Sequence, residues 1–291
     1  MHETIRTILE AGRPIILDGG WGTQLQARGL SIGDCPDTWN LDHPDRVEAV
    51  ARDYVDAGSQ IILTNTFGAN RYTLAKCGWE DKAAEVNRAG VELSKRAAGD
   101  RACVFASIGP SGVMLMMGEV TADELRAAFV EQAEAMAAAG AEGLVIETMS
   151  DPDEAKLAVE AAKTTGLPVV GCMVFDTGPD NDRTMMGTSP EDSVEILTAA
   201  GADVIGSNCG QGITGFVKIC SRLRAATDLP LWIKGNAGLP QMVDGQTVYE
   251  QTPEEFADEI PPLVEAGANF IGGCCGTTPD FIRAVATKLG Q

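Results

Sequence analysis

The chain has 291 residues, 44% of them hydrophobic, and a formal net charge of −20 at neutral pH. That is ample material for a buried core, and an acidic surface of this size repels phosphate backbones and anionic membranes, which argues against nucleic acid or a membrane as partner. No apolar run approaches a membrane span, and the opening MHETIRTILE lacks the charged-then-apolar pattern of an export signal, so a cytoplasmic location is expected.

Eight short apolar runs rich in β-branched residues follow one another along the chain, at 15–20, 61–67, 103–109, 143–149, 168–175, 203–209, 229–236 and 269–276. Most are bounded by Gly or Pro and are nearly continuous in hydrophobicity, as parallel strands buried on both faces should be. Amphipathic segments separate them. Thr121 with Glu124 has the spacing of a capping box, and Ser189-Pro190, Thr252-Pro253 and Thr278-Pro279 each place a capping residue before a proline at the first helical position. Ala57-Gly58, Gly140-Ala141, Gly201-Ala202 and Gly267-Ala268 recur just before the second, fourth, sixth and eighth runs, where glycine suits a left-handed helix end. Eight strand–helix alternations predict a single (β/α)8 TIM barrel over residues 1–291, with a doubly wound open sheet as the alternative. The polar, turn-rich segment 176–188 is expected to form a loop or hairpin over the barrel mouth.

In such barrels chemistry sits where strands end and βα loops begin. The runs turn polar at that end: Asp18-Gly19-Gly20 after the first, Thr64-Asn65-Thr66 after the second, Ser107 on the third and Glu147-Thr148 on the fourth. The sixth ends in Ser207-Asn208-Cys209, the seventh in Asn236 and the eighth in Cys274-Cys275-Gly276. Strands six and eight are separated only by strand seven, so Cys209 can approach Cys274 and Cys275. Neighbouring residues of a regular strand face opposite ways. Both members of the pair can therefore turn inward only where the backbone leaves the strand, which Gly272-Gly273 and Gly276 permit. Three thiolates with one vacant position read as a reactive zinc site, with Asn236 placed to be a displaceable fourth ligand. A Cys-Cys dipeptide also fits a vicinal disulfide or redox pair. Cys103, Cys172 and Cys220 are expected to be small buried hydrophobes. Cys35 and Cys77 are expected to lie in loops or at helix ends without partners. Met114, Met116, Met117, Met185 and Met186 fall in mouth loops, as an adaptable lid or, more simply, as core filling.

The segments LDGGWGTQL, TNTFGANR, IET, GSNCGQG, NAG and GGCCGTTPDFI, running from residue 17 to about residue 282, resemble the homocysteine S-methyltransferase family. The spacing of NCG and GGCCGTTP makes the match specific. The resemblance implies a zinc-binding barrel in which Cys209, Cys274 and Cys275 hold Zn2+, and in which Asp18, Gly19 and Glu147 bind homocysteine, with Glu147 facing its amino group; Ser107, at the end of the third run, is a further candidate for that pocket. Zinc and three thiolates sum to one negative charge, which keeps an added substrate sulfur electron-rich without a histidine base.

Several stretches look most like the homocysteine domain of cobalamin-dependent methionine synthase. His2 and His43 are the only histidines, and neither stands in a corrinoid-binding context. A methyl-corrinoid donor would then have to ride on a separate protein. The other branch of the family uses a small onium donor such as glycine betaine. For that donor Trp21, Phe67 and Tyr72, with Asn65, would build a cation–π pocket, though loop packing accounts for the aromatics equally well. The competing functions are a non-catalytic zinc- and homocysteine-binding subunit or sensor, and a thiol-redox barrel.

Overall fold

A computed structural model, which describes residues 1–243 and 246–291, shows how the apolar runs assemble. The strands are β1 (Ile15–Ile16), β2 (Ile61–Ile62), β3 (Cys103–Ile108), β4 (Gly143–Met149), β5 (Val169–Met173), β6 (Val204–Gly212), β7 (Leu231–Asn236), β8 (Gln241–Val243), β9 (Gln246–Val248) and β10 (Phe270–Gly273). The helices are α1 (Glu3–Leu9), α2 (Trp21–Gln26), α3 (Trp39–Asp42), α4 (Pro44–Asp56), α5 (Arg71–Ala75), α6 (Ala83–Ala98), α7 (Ala122–Ala138), α8 (Pro152–Lys163), α9 (Pro190–Ala200), α10 (Phe216–Ala226), α11 (Pro253–Asp258), α12 (Ile260–Glu265) and α13 (Pro279–Lys288). Eight parallel strands run in the order β1-β10-β7-β6-β5-β4-β3-β2, while β8 and β9 form a separate antiparallel hairpin. This is the (β/α)8 barrel, not the open sheet.

The ring closes between its two shortest strands, and side chains do part of the closing. The Gln60 amide donates to Ile16 O at 2.7 Å, and its side-chain Oε1 accepts from Ile16 N at 3.0 Å. Ser59 Oγ donates to Leu17 O at 3.1 Å, and Leu63 N donates to Asp18 Oδ2 at 2.7 Å.

The strand pleat sorts the core into two shells. Ile15, Leu17, Ile61, Leu63, Phe105, Val145, Val170, Cys172, Val204, Trp232 and Phe270 fill the barrel axis, and Ile5 of α1 joins them. Trp232 lies between Phe105 and Phe270, with ring centroids 6.1 and 5.4 Å away. The other face of each strand packs on the helices, as in Ile16, Ile62, Ala106, Leu144 and Ile271.

Helix boundaries follow their expected signals. Capping boxes form at Thr121, Ser189 and Thr252, and Gly58, Gly140, Gly201 and Gly267 all take left-handed φ between 92° and 105°. The 176–188 segment folds back through an antiparallel Thr177–Arg183 bridge. The β8–β9 hairpin lies in the loop after β7, where no strand was expected.

Two expectations are corrected. Cys35 and Cys77 are not without partners: a disulfide joins them, with Cα atoms 6.7 Å apart, tying the loop after α2 to the end of α5. The five loop methionines do not fill the core. Met114, Met116, Met117, Met185 and Met186 all stand exposed.

Beside the disulfide, Asp37 is buried, and its Oδ1 accepts from Gly68 N at 3.0 Å. Burial pushes its carboxyl up to about 7 in spite of that bond.

Two measurements test these local accounts. Gln60→Leu leaves the Ile16 amide without its acceptor and should cost about 1–3 kcal/mol in urea unfolding. A loss below about 0.5 kcal/mol would mean that the Gln60 side chain contributes nothing to closing the ring. For Asp37 the folded-state pKa lies above the unfolded one. Its protonated form therefore favours folding, fully so below about pH 4, and that contribution is lost as pH rises through about 7. Asp37→Asn keeps the Gly68 contact and should remove this loss. The variant should gain on the parent between pH 4 and 8, by on the order of a few kcal/mol; parallel unfolding curves over that range would refute the account.

Candidate active site

The pleat that fills the axis with apolar side chains also builds the site. Two residues beyond Phe105 is Ser107, and two beyond Val145 is Glu147. Lys234 follows Trp232 at the same spacing, and Cys274 stands four beyond Phe270. Ser107, Glu147, Lys234 and Cys274 line one cleft of about 480 Å³ at the C-terminal mouth, together with Gly19, Gly20, Trp21, Cys209 and Cys275.

The thiols converge as the spacing predicted. The sulfurs of Cys209, Cys274 and Cys275 all lie within 4.8 Å of one another, and Cys209 Sγ is 3.9 Å from Cys275 Sγ. Tetrahedral zinc with Zn–S bonds of about 2.3 Å requires sulfurs about 3.8 Å apart, so this donor set fits that ion. Strand alternation would send Cys209 and Cys275 away from the axis. The chain turns them back: β10 ends at Gly273, before the cysteine pair, and Cys209 itself has φ of 61°, followed by Gly210 at 76°. Asn236 Oδ1 accepts from Cys275 N at 3.1 Å, which fixes the turn that presents the third sulfur.

The bond that Cys209 shares with Cys274 lowers its thiol pKa. The bond to Cys275 and burial outweigh that and push it up to about 12. Cys275 is lowered by Cys209 but raised more by Cys274 and burial, also to about 12. At neutral pH the sulfurs thus keep their protons until a cation displaces them.

Next to the sulfurs lies a buried ionic cluster. Lys234 Nζ donates to Asp18 Oδ1 at 2.5 Å, and both side chains are at most 2% exposed. Asp18 Oδ2 accepts from Trp21 Nε1 and Leu63 N, each at 2.7 Å. Glu147 Oε1 accepts from Ser107 Oγ at 2.5 Å, and Glu147 Oε2 accepts from Asn208 Nδ2 at 3.2 Å. Burial raises the Glu147 pKa above the usual carboxylate value, against the opposing pull of Lys234 and Ser107. For Lys234, burial pulls the pKa down, but Asp18 and Glu147 more than offset it and hold the ammonium above the usual lysine value.

Gly19 and Gly20 permit close packing here. A Cβ on Gly19 would come within 2.8 Å of Tyr54 Oη and Thr277 Oγ1, and one on Gly20 within 2.6 Å of Cys274 O.

The remaining expected residues divide. Asn65, Trp21 and Phe67 line the cleft, whereas Tyr72 is half-buried on α5 against the outer core and is not among the lining residues. Asn208 stood among the polar residues at the strand ends without a role of its own, whereas Lys234 and Asp37 were not among the expected site residues. Lys234 carried a signal, being a lysine inside an apolar run at the same parity as Trp232. Asp37, in a short polar loop, carried none.

A family profile described as homocysteine S-methyltransferase matches residues 15–289. The methionine synthase of Mycobacterium leprae is 30% identical over the whole chain, and the betaine–homocysteine S-methyltransferase 1 of Danio rerio is 29% identical over 97% of it. The chain spans about a quarter of the length of the methionine synthases it matches and 74% of the Danio rerio protein. Among solved structures, the metallated form of the Escherichia coli homocysteine methyltransferase MmuM superposes with a TM-score of 0.81 at 26% identity, covering 98% of this chain and 99% of that one. With the profile running across nearly all of the barrel and its cysteines, the chain belongs to the homocysteine S-methyltransferase family.

Proposed function

We propose that this chain transfers a methyl group to the thiol of homocysteine, giving methionine, at a Zn2+ ion held by Cys209, Cys274 and Cys275. The observation that carries the reading is the meeting of three sulfurs at the head of a cleft with a charged floor. When bound there, zinc supplies the Lewis acidity that keeps a substrate thiol ionised at neutral pH, where a free thiol is mostly protonated. The residues do the rest. Glu147, held by Ser107 and Asn208, faces the cleft to receive the amino group. Asn236 holds the Cys275 turn and has a lone pair to offer as fourth ligand before substrate enters. The barrel walls exclude water and align donor with acceptor. Convergence of a third sulfur favours metal holding over a two-thiol redox switch.

For the donor we favour a methyl-corrinoid presented by a corrinoid-carrying protein module that docks at the barrel mouth. Apart from Met1, every exposed large apolar side chain among the described residues stands on a βα loop: Ile32, Phe67, Leu239, Met242, Val248 and the five loop methionines. A small donor needs no apolar collar around the mouth, whereas a docking protein does. The second reading, an onium donor, is supported by Trp21 and Phe67 in the cleft beside the carboxyl of Asp37.

Two experiments follow. Cys209→Ala, Cys274→Ala and Cys275→Ala should each lose bound zinc by metal analysis and methionine formation together. A variant that keeps full zinc and full turnover would overturn the site. In assays with betaine, dimethylsulfoniopropionate, S-methylmethionine and a methylcobalamin-loaded carrier protein, turnover is expected with the carrier. Turnover with an onium compound alone would replace the corrinoid reading, and none with any donor would favour a sensor.

A further inference from the structure

We infer that Lys234 is a specificity-determining residue that selects the α-carboxylate of the substrate, so that the cleft floor is an ionic complement to a zwitterion. This rests on the homocysteine reading above but does not follow from it. Lys234 lines the cleft while being only 2% exposed, so it faces the cavity and not bulk water. A buried ammonium is costly without a partner, and Asp18 supplies one.

Asp18 is thereby used up. Its two oxygens take Lys234 Nζ, Trp21 Nε1 and Leu63 N, and it is fully buried. It acts as counter-ion and positioning residue, holding Lys234 and Trp21 in place. Among the described residues the ammonium donates one hydrogen bond, to Asp18, out of three N–H donors. Glu147 makes the converse case: its oxygens accept hydrogen bonds from neutral groups only, Ser107 and Asn208, and Lys234 acts on it through space without bonding to it. Asp18, Lys234 and Glu147 together carry one net negative charge, centred on Glu147.

An α-amino acid entering sulfur-first satisfies both ends of this arrangement. Its ammonium meets Glu147 and its carboxylate takes the spare donors of Lys234. A thiol without a carboxylate leaves those donors unmet on a nearly buried ammonium, which is the situation in which a polar mismatch discriminates strongly. A structural Asp18–Lys234 pair would make no such distinction between thiols.

The test uses protein loaded with Co2+ in place of zinc, because the visible spectrum then reports thiol ligation without turnover. Three probes are titrated: homocysteine, 3-aminopropane-1-thiol (no carboxylate) and 4-mercaptobutanoate (no amine). The parent should bind homocysteine more tightly than either. Lys234→Met should weaken homocysteine and 4-mercaptobutanoate by about 10- to 100-fold, the range for hydrogen bonds to charged groups, and the aminothiol by less than about 3-fold. Glu147→Gln should weaken the two amine-bearing thiols and spare 4-mercaptobutanoate. If Lys234→Met fails to fold or to hold cobalt, the double variant Asp18→Asn/Lys234→Met removes both buried charges and should show the same pattern. Equal weakening of all three thiols, or no change for homocysteine, would overturn the assignment and leave the metal–thiol reading standing. A spectrum that no thiol perturbs would overturn both.

Discussion

The alternation of side chains along eight parallel strands is the constraint on which the rest of this molecule depends. Residues of one parity meet in the barrel interior, which they fill in stacked layers of side chains. The lower layers are apolar, from Ile5 up through Trp232, Phe105 and Phe270. One step higher the same parity delivers Ser107, Glu147 and Lys234. The polar floor of the cleft thus lies directly on a dry core. Charges there are screened weakly, so each must find a partner within the barrel or in the ligand. The Lys234–Asp18 pair and the Ser107–Glu147 hydrogen bond are the internal answers.

Asp18 links this floor to the integrity of the ring. The same carboxylate that holds Lys234 accepts from Leu63 N across the β1–β2 seam, where the backbone ladder is thinnest. Tyr54, from α4, donates to Thr277 O at 3.0 Å and packs where a Gly19 side chain would sit. The first loop, the last loop and the seam therefore form one hydrogen-bonded unit. A ligand that presses on Gly19 or Trp21 also loads the closure of the barrel.

The sequence showed most of this frame, and the reasons are local. β-Branched runs, capping boxes at Thr121 and Thr252 and the Ala-Gly helix ends are short-range signals, and each kept its meaning in the fold. The three cysteines were legible because strand order alone brings strands six and eight near each other. Lys234 was legible only through its parity with Trp232; what fixes its burial, the pairing with Asp18 216 residues away, was not. The Cys35–Cys77 pairing was hidden for the same kind of reason: both lie in irregular segments whose proximity is set by how α5 docks. The loop methionines were misjudged because hydrophobicity predicts burial only on average, and a folded surface keeps many apolar side chains.

The site also departs from what local rules favour. Thr148 and Cys209 are two of the non-glycine residues with positive φ, both at 61°; Thr148 is next to last in β4, and Cys209 lies within β6, where its register against β7 shifts. Such conformations cost of order 1–3 kcal/mol each and persist only where the surroundings over-determine them. Asn208 does so here. Its Oδ1 accepts from Thr148 N at 2.8 Å, and its Nδ2 donates to Thr148 Oγ1 at 2.7 Å and to Glu147 Oε2 at 3.2 Å. One buried amide thus pins the strained residue after Glu147 while standing directly before the strained Cys209. Without that strain, strand alternation would point Cys209 out toward the helices, and two sulfurs would face the cleft where three now do. The fold gives up local stability at these two positions to bring the third sulfur to the others.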